Sequence, residues 1–232
     1  MNNQVETKDK VLQEDLDYIA NSFPDVDKLK NSAVLVTGAT GLVGSYIVKA
    51  LAAINRIKNT DITILALVRN PEKAKCIFGE LLERKYITLV VGDVLKKPEI
   101  DSNIDYIIHC ASVTNSKEMV TKPVETICVA VDGTRNILEL ARDKNIKSAV
   151  YISSMEVYGS PDGSLTGISE NDYGYVDILN VRSCYPEGKR MCECLCSSYA
   201  HEYNLPIKTA RLAQTFGAGV SKNFCTICKK PC

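Results

Sequence analysis

Apolar residues in this chain come in short runs separated by segments of helical period. Ala33–Thr37, Ile62–Val68, Ile87–Val91, Ile104–His109, Ala149–Ser153 and Ile207–Leu212 are runs of strand length. Between them, Leu42–Asn55, Pro71–Arg84, Val124–Asp143 and Tyr185–Tyr203 space their apolar residues as helices do, and the second opens on a proline, which suits a first helical position. Strands that are apolar throughout and alternate with helices predict an α/β fold, a parallel sheet covered on both faces. Residues 1–30 are polar, yet Leu12, Leu16 and Ile19 recur at helical spacing. They predict a short amphipathic extension docked on the main unit; the alternative is a frayed tail. Gly159–Arg182 is rich in Gly, Asp, Asn and Ser and reads as a long loop.

Composition narrows the class. A chain of 232 residues suffices for one sizeable domain. Lys+Arg and Asp+Glu are both 28, so no charge excess points to nucleic acid or an anionic membrane surface. No apolar run approaches the ~18 residues of a spanning helix. The polar start Met1–Gln4 lacks a secretory hydrophobic stretch, and with ten cysteines this predicts reduced thiols in a cytoplasmic protein. Cys192, Cys194 and Cys196 alternate along a helix and do not converge on one ion. Cys225, Cys228 and Cys232 look more like a zinc fragment but lack a fourth ligand, so no metal is expected.

Two motifs carry chemistry. Thr37–Gly44 joins the first strand to the first helix. Gly38 permits the tight turn, Gly41 lets a pyrophosphate approach the helix N-terminus, and Gly44 lets the helix pack on the sheet. Thr40, Leu42 and Val43 complete this candidate dinucleotide turn. Downstream, Asp93 and Val94 end the third strand where an adenine edge belongs, and Ala111 and Ser112 follow the fourth. His109 reads as a packed structural histidine. The second strand lacks the acidic residue that holds an NAD ribose; Arg69 stands there and favours a 2′-phosphate, leaving NAD or NADP open with NADP slightly ahead. The second motif pairs Tyr185 with Lys189 at (i, i+4), on one helix face. A cation there is expected to lower the phenol pKa toward neutrality. Ser154, after the fifth strand, can bind the same substrate oxygen. Together they form a proton-transfer device for alcohol–ketone chemistry.

These residues, with Gly133-Thr134, Asn136, Ser153–Gly159 and Arg211–Gly217, resemble the extended short-chain dehydrogenase/reductase family, in its nucleotide-sugar epimerase, dehydratase and decarboxylase branch, over roughly residues 32–218. The resemblance implies a Rossmann-like doubly wound sheet (residues 31–220), NAD(P) as cofactor and a nucleotide sugar as substrate. It also implies Tyr185 as acid/base, Ser154 beside it, and Lys189 on the nicotinamide ribose. A homodimer through Val124–Asp143 and Tyr185–Tyr203 is implied by analogy. Where sugar 4,6-dehydratases carry an acid, this chain has Met155, which cannot donate a proton; Glu156 follows. That pattern, and Arg182–Arg190, are closer to UDP-glucuronate decarboxylases. The alternatives are a non-catalytic NAD(P)-binding module and a reductase of small carbonyls. Glu156 could instead be a structural partner for a backbone amide. Ala130 and Gln214 depart from the family's usual Asn, and Gln214 remains the candidate substrate contact.

The family continues into a smaller substrate-binding domain, and here its pattern stops near Lys222. The tail, residues 221–232, is expected to reflect a frameshift that truncates the protein, the alternative being a natural short end; the gene sequence decides. A chain without that domain is expected to bind NAD(P) without measurable nucleotide-sugar conversion.

Overall fold

The computed structural model describes residues 5–217. Helix α1 (Lys10–Ser22) precedes strand β1 (Ala33–Thr37), helix α2 (Leu42–Lys58), strand β2 (Thr63–Val68) and helix α3 (Pro71–Phe78). Strands β3 (Ile87–Val91) and β4 (Tyr106–His109) follow, then helices α4 (Ser116–Thr121) and α5 (Pro123–Asp143). Strand β5 (Ser148–Ser154), helix α6 (Cys184–Tyr203) and strand β6 (Ile207–Leu212) complete the order. All pairings are parallel, in the order β3-β2-β1-β4-β5-β6.

Alternate residues of each strand feed different cores. Val34, Val36, Ile64, Ala66 and Val68 pack under α1, α2 and α3. Leu35, Leu65, Leu67, Ile107, Ala149 and Tyr151 pack under α5 and α6. Burial on both faces is why the strands read as unbroken apolar runs. The chain winds outward from β1 to β3 and then crosses to β4 on β1's other side. This reversal opens a crevice at the carboxyl ends of β1 and β4, where doubly wound sheets bind ligands.

The structure corrects several boundaries. The helix expected over Pro71–Arg84 ends at Phe78, where Gly79 takes φ 51°; a 3₁₀ turn covers Gly79–Glu83. The fourth strand begins at Tyr106 rather than Ile104, and just before it the Asp105 carboxylate accepts from the Ala33 N–H at 2.8 Å. Helix α4 is additional to the expected set and is capped by the Asn115 side chain. On α1, Leu12, Leu16 and Ala20 are buried against α2, whereas Ile19 is exposed. Buried Gln13 is held there by Glu6, whose Oε2 accepts from its Nε2 at 2.9 Å. Among the described residues no helix is long and apolar enough to cross a membrane.

Candidate active site

The glycine turn lies at the carboxyl end of β1. Gly38 has φ 62°, and a Cβ there would stand 2.8 Å from the Ala111 backbone. A Cβ on Gly44 would stand 2.4 Å from the Gly38 carbonyl oxygen. These two glycines therefore allow close packing of turn against β4 and of helix against turn. Gly41 caps α2 with no side chain on the helix end, and it is exposed. The first-turn N–H groups of Leu42, Val43 and Gly44, which a helix cannot satisfy internally, are left for an anion. A dinucleotide pyrophosphate fits this cradle. Ala111 and Ser112 line the floor, half-buried, and Thr40 flanks it. Asp93 uses Oδ1 to accept from the Leu95 N–H at 3.0 Å. Val94 is buried, and its carbonyl accepts from Asn136 at 2.9 Å. Arg69 is well exposed, with Nη1 3.9 Å from Asp93.

Beneath the floor runs a one-way chain of hydrogen bonds. The Ala111 N–H donates to Thr37 Oγ1 at 3.2 Å; because the Thr134 hydroxyl spends its proton on Cys192, His109 Nε2 must be the donor to it, and Nδ1 then accepts from the Thr37 hydroxyl, 2.6 Å away. Nε2 then carries the ring proton and donates to Thr134 Oγ1 at 3.2 Å. Thr134 donates to Cys192 Sγ, and Cys192 to the Ala130 carbonyl at 3.1 Å. Complete burial holds the His109 pKa down at about 3, so the ring is neutral.

Tyr185 and Lys189 rise from the first turns of α6, beside the end of β5, where Ser154 sits close enough to Tyr185 to oppose the rise that burial gives its pKa. Lys189 Nζ donates to the Ile152 carbonyl at 2.8 Å and stands 5.8 Å from the Tyr185 ring centroid. It is closer to the Tyr151 ring, at 4.8 Å. The expected depression of the phenol pKa is not what the protein alone shows. Burial pushes Tyr185 up, opposed by the Ser154 hydrogen bond and reinforced by the Glu156 charge. Burial instead brings Lys189 down to about 8. Lone desolvation thus outweighs the pairing that spacing suggests.

Ser154 Oγ accepts from the Glu156 N–H at 3.2 Å. The Glu156 carboxylate accepts from Arg182 Nη2 at 2.9 Å, so its partner is a guanidinium rather than a backbone amide. Met155 is exposed beside it. Spacing alone does not single out Arg182 because the long loop over residues 159–182 has to fold before it meets Glu156. That loop is clamped by Arg211. Its guanidinium lies against the rings of both Tyr158 and Tyr173 (4.8 and 4.9 Å), with both oxygens of Glu193 in reach. Gln214 is exposed in the turn after β6, apart from this cluster's hydrogen bonds. Among the described residues no group of three or more His, Cys, Asp or Glu could hold a metal. Cys225, Cys228 and Cys232 lie outside the described residues.

The model of the NAD dependent epimerase/dehydratase family matches residues 34–227. The chain is 27% identical over 220 residues to UDP-glucuronic acid decarboxylase 1 of Danio rerio, covering 93% of this chain and 50% of the relative. It is 30% identical over 188 residues to UDP-glucuronic acid decarboxylase 6 of Arabidopsis thaliana, covering 81% and 52%. It thus spans about half the length of these curated relatives. Among solved structures, UDP-glucuronic acid 4-epimerase from Bacillus cereus in complex with NAD is similar in fold, with TM-score 0.63, 22% identity, and 80% and 57% coverage. The glycine cradle, the parallel strand order and the match across most of the sequence place the chain in the NAD dependent epimerase/dehydratase family.

Proposed function

We propose that this chain is the cofactor-binding and proton-transfer half of an enzyme that oxidises a nucleotide sugar at C4, on UDP-glucuronate, with decarboxylation as the outcome. The observation that carries the reading is the Ser154–Tyr185 pair flanked by Met155 and the Glu156–Arg182 ion pair. NAD, held by Gly38–Gly44, Asp93, Val94, Ala111 and Ser112, supplies the hydride acceptor. Arg69, exposed beside Asp93, makes NADP the second candidate.

The residues act on the sugar's protons and oxygens. Tyr185 takes the proton of the 4-hydroxyl, and Ser154 holds the same oxygen by hydrogen bonding. Lys189, fixed by the Ile152 carbonyl, places a cation below the ring and is the candidate contact to a ribose hydroxyl. A ketone at C4 lies β to the C5 carboxylate, so C–CO2 cleavage sends its electron pair into the ketone and calls for no strong acid. Met155 fits that economy, since it offers no proton for expelling a hydroxyl. Gln214, exposed after β6, is the candidate contact to the diphosphate.

The test has two readouts. In thermal unfolding of the NAD-loaded chain, UDP-glucuronate should stabilise more than UDP-galactose or small ketones, by about 2.7 kcal/mol at ~100 times its Kd. With NAD-loaded protein in excess over UDP-glucuronate labelled at C6, a single bond-breaking event, too slow to register as steady-state conversion, still releases labelled CO2. UDP-galacturonate as the sole product would replace decarboxylation with epimerisation. A response to small ketones alone would replace both with simple carbonyl reduction.

A further inference from the structure

The Arg182 guanidinium lies against the ring of Tyr185, Cζ 5.6 Å from its centroid. Nη2 is committed to Glu156 at 2.9 Å. Nη1 is buried and, among the described residues, is the one buried side-chain nitrogen or oxygen without a hydrogen-bond partner. An N–H on a cation is costly to leave unpaired away from water, and such groups are rare enough to require a reason. Its position supplies one. The same guanidinium lies over the Tyr185 ring and pairs with the Glu156 carboxylate, so an oxygen that reaches Nη1 arrives on the side of the acid/base tyrosine.

Charge points the same way. Glu156 alone would repel an acidic substrate at this mouth. Its pairing with Arg182 cancels that repulsion, and the planar guanidinium fork still has N–H groups left for a second carboxylate.

We propose that Arg182 is a specificity residue for the acidic group of the sugar: Nη2 neutralises Glu156, and Nη1 donates to a substrate carboxylate oxygen next to Tyr185. This rests on the acidic-sugar reading above, and it adds the residue that would read the acid. A preference for uronate over neutral hexose would then come from one side chain whose other hand is already full.

The experiment is calorimetric titration of the NAD-loaded 232-residue chain with UDP-glucuronate and with UDP-glucose, which differ only at C6. The expected wild-type preference for UDP-glucuronate is about 10- to 100-fold, the range of one charge-assisted hydrogen bond. Arg182→Gln should bring the ratio close to one while leaving NAD affinity unchanged. If a folded Gln variant keeps the wild-type ratio, the assignment of Arg182 fails and the acidic-sugar reading stands. If the wild type itself binds both sugars equally, both fail. A proportional loss of NAD and both sugars marks a structural role and also overturns the inference. Should the Gln variant not fold, Arg182→Lys decides. One ammonium is a point charge without the spaced nitrogens of the fork, and it is held less well between Glu156 and a substrate carboxylate, so the ratio should fall at least about threefold, and an unchanged ratio overturns the assignment.

Discussion

Lys189 shows how burial and charge compete at a single residue. Its ammonium is held inside the protein with a carbonyl for a partner, and burial lowers its pKa to about 8. The unfolded chain keeps its proton up to the ordinary value of 10.5. Between those limits the unfolded state binds the extra proton, so stability rises with pH through this window. Relative to Lys189→Met, wild type should therefore gain stability between about pH 8 and pH 10 in urea unfolding. The same variant should weaken NAD binding, and an unchanged affinity would remove Lys189 from the cofactor contacts. Two further variants probe the cleft. Gly41→Val should abolish cofactor binding by filling the space over the helix end. Arg69→Ala should lower the NADP/NAD affinity ratio if Arg69 meets a 2′-phosphate. Tyr185, Lys189 and the glycines are legible from sequence because covalent spacing on a helix or turn fixes their relations. The direction of the Tyr185 shift is not, since depth of burial depends on everything packed around it. Arg182 is hidden for a similar reason, since its partner is distant along the chain.

Elements obey the same division. The parallel sheet is legible because two-sided burial leaves unbroken apolar strands. Helix α4 is not, because its six residues bury only Met119 and carry no amphipathic repeat. The N-terminal segment is read correctly in Leu12 and Leu16 but is anchored as much by charge. Glu6 has a fully buried carboxylate reached by Arg56 Nη2 at 2.9 Å and Arg84 Nη1 at 2.8 Å. Burial raises its pKa, but the hydrogen bonds of Arg56, Gln13 and Arg84 win, and the net shift is downward. This contribution is present above the ordinary carboxylate pKa and is lost as pH falls through the lowered one. Glu6→Ala should cost roughly 3 kcal/mol, the low end for breaking a buried pair because Arg56 remains partly wet. Equilibrium unfolding near neutral pH checks it; a loss below about 0.5 kcal/mol would reduce the pair to a surface contact. His109 acts with the same sign from a different cause. Kept neutral by burial, it adds to acid destabilisation once pH drops below the ordinary 6.5.

At the scale of the molecule, the two cores meet across one sheet, and the described thiols are distributed between surface and interior. Cys76 and Cys194 are exposed, Cys110 and Cys128 half-buried, and Cys184, Cys192 and Cys196 buried. Burial raises the Cys110 and Cys196 pKa values to about 12, which suppresses the reactive thiolate as well as access. Cys192 is the last side-chain link of the hydrogen-bonded chain that starts at Ala111, beneath the candidate cofactor cleft. Alkylation followed by peptide mass spectrometry should therefore run in a fixed sequence: Cys76 and Cys194 at once, Cys192 and Cys196 only when α6 lifts from α5. NAD that seats on the floor should retard the late group and leave the early pair untouched. The interior cysteines thus act as a built-in clock, timing the breathing of the helix that carries Tyr185 and Lys189 without any label being introduced.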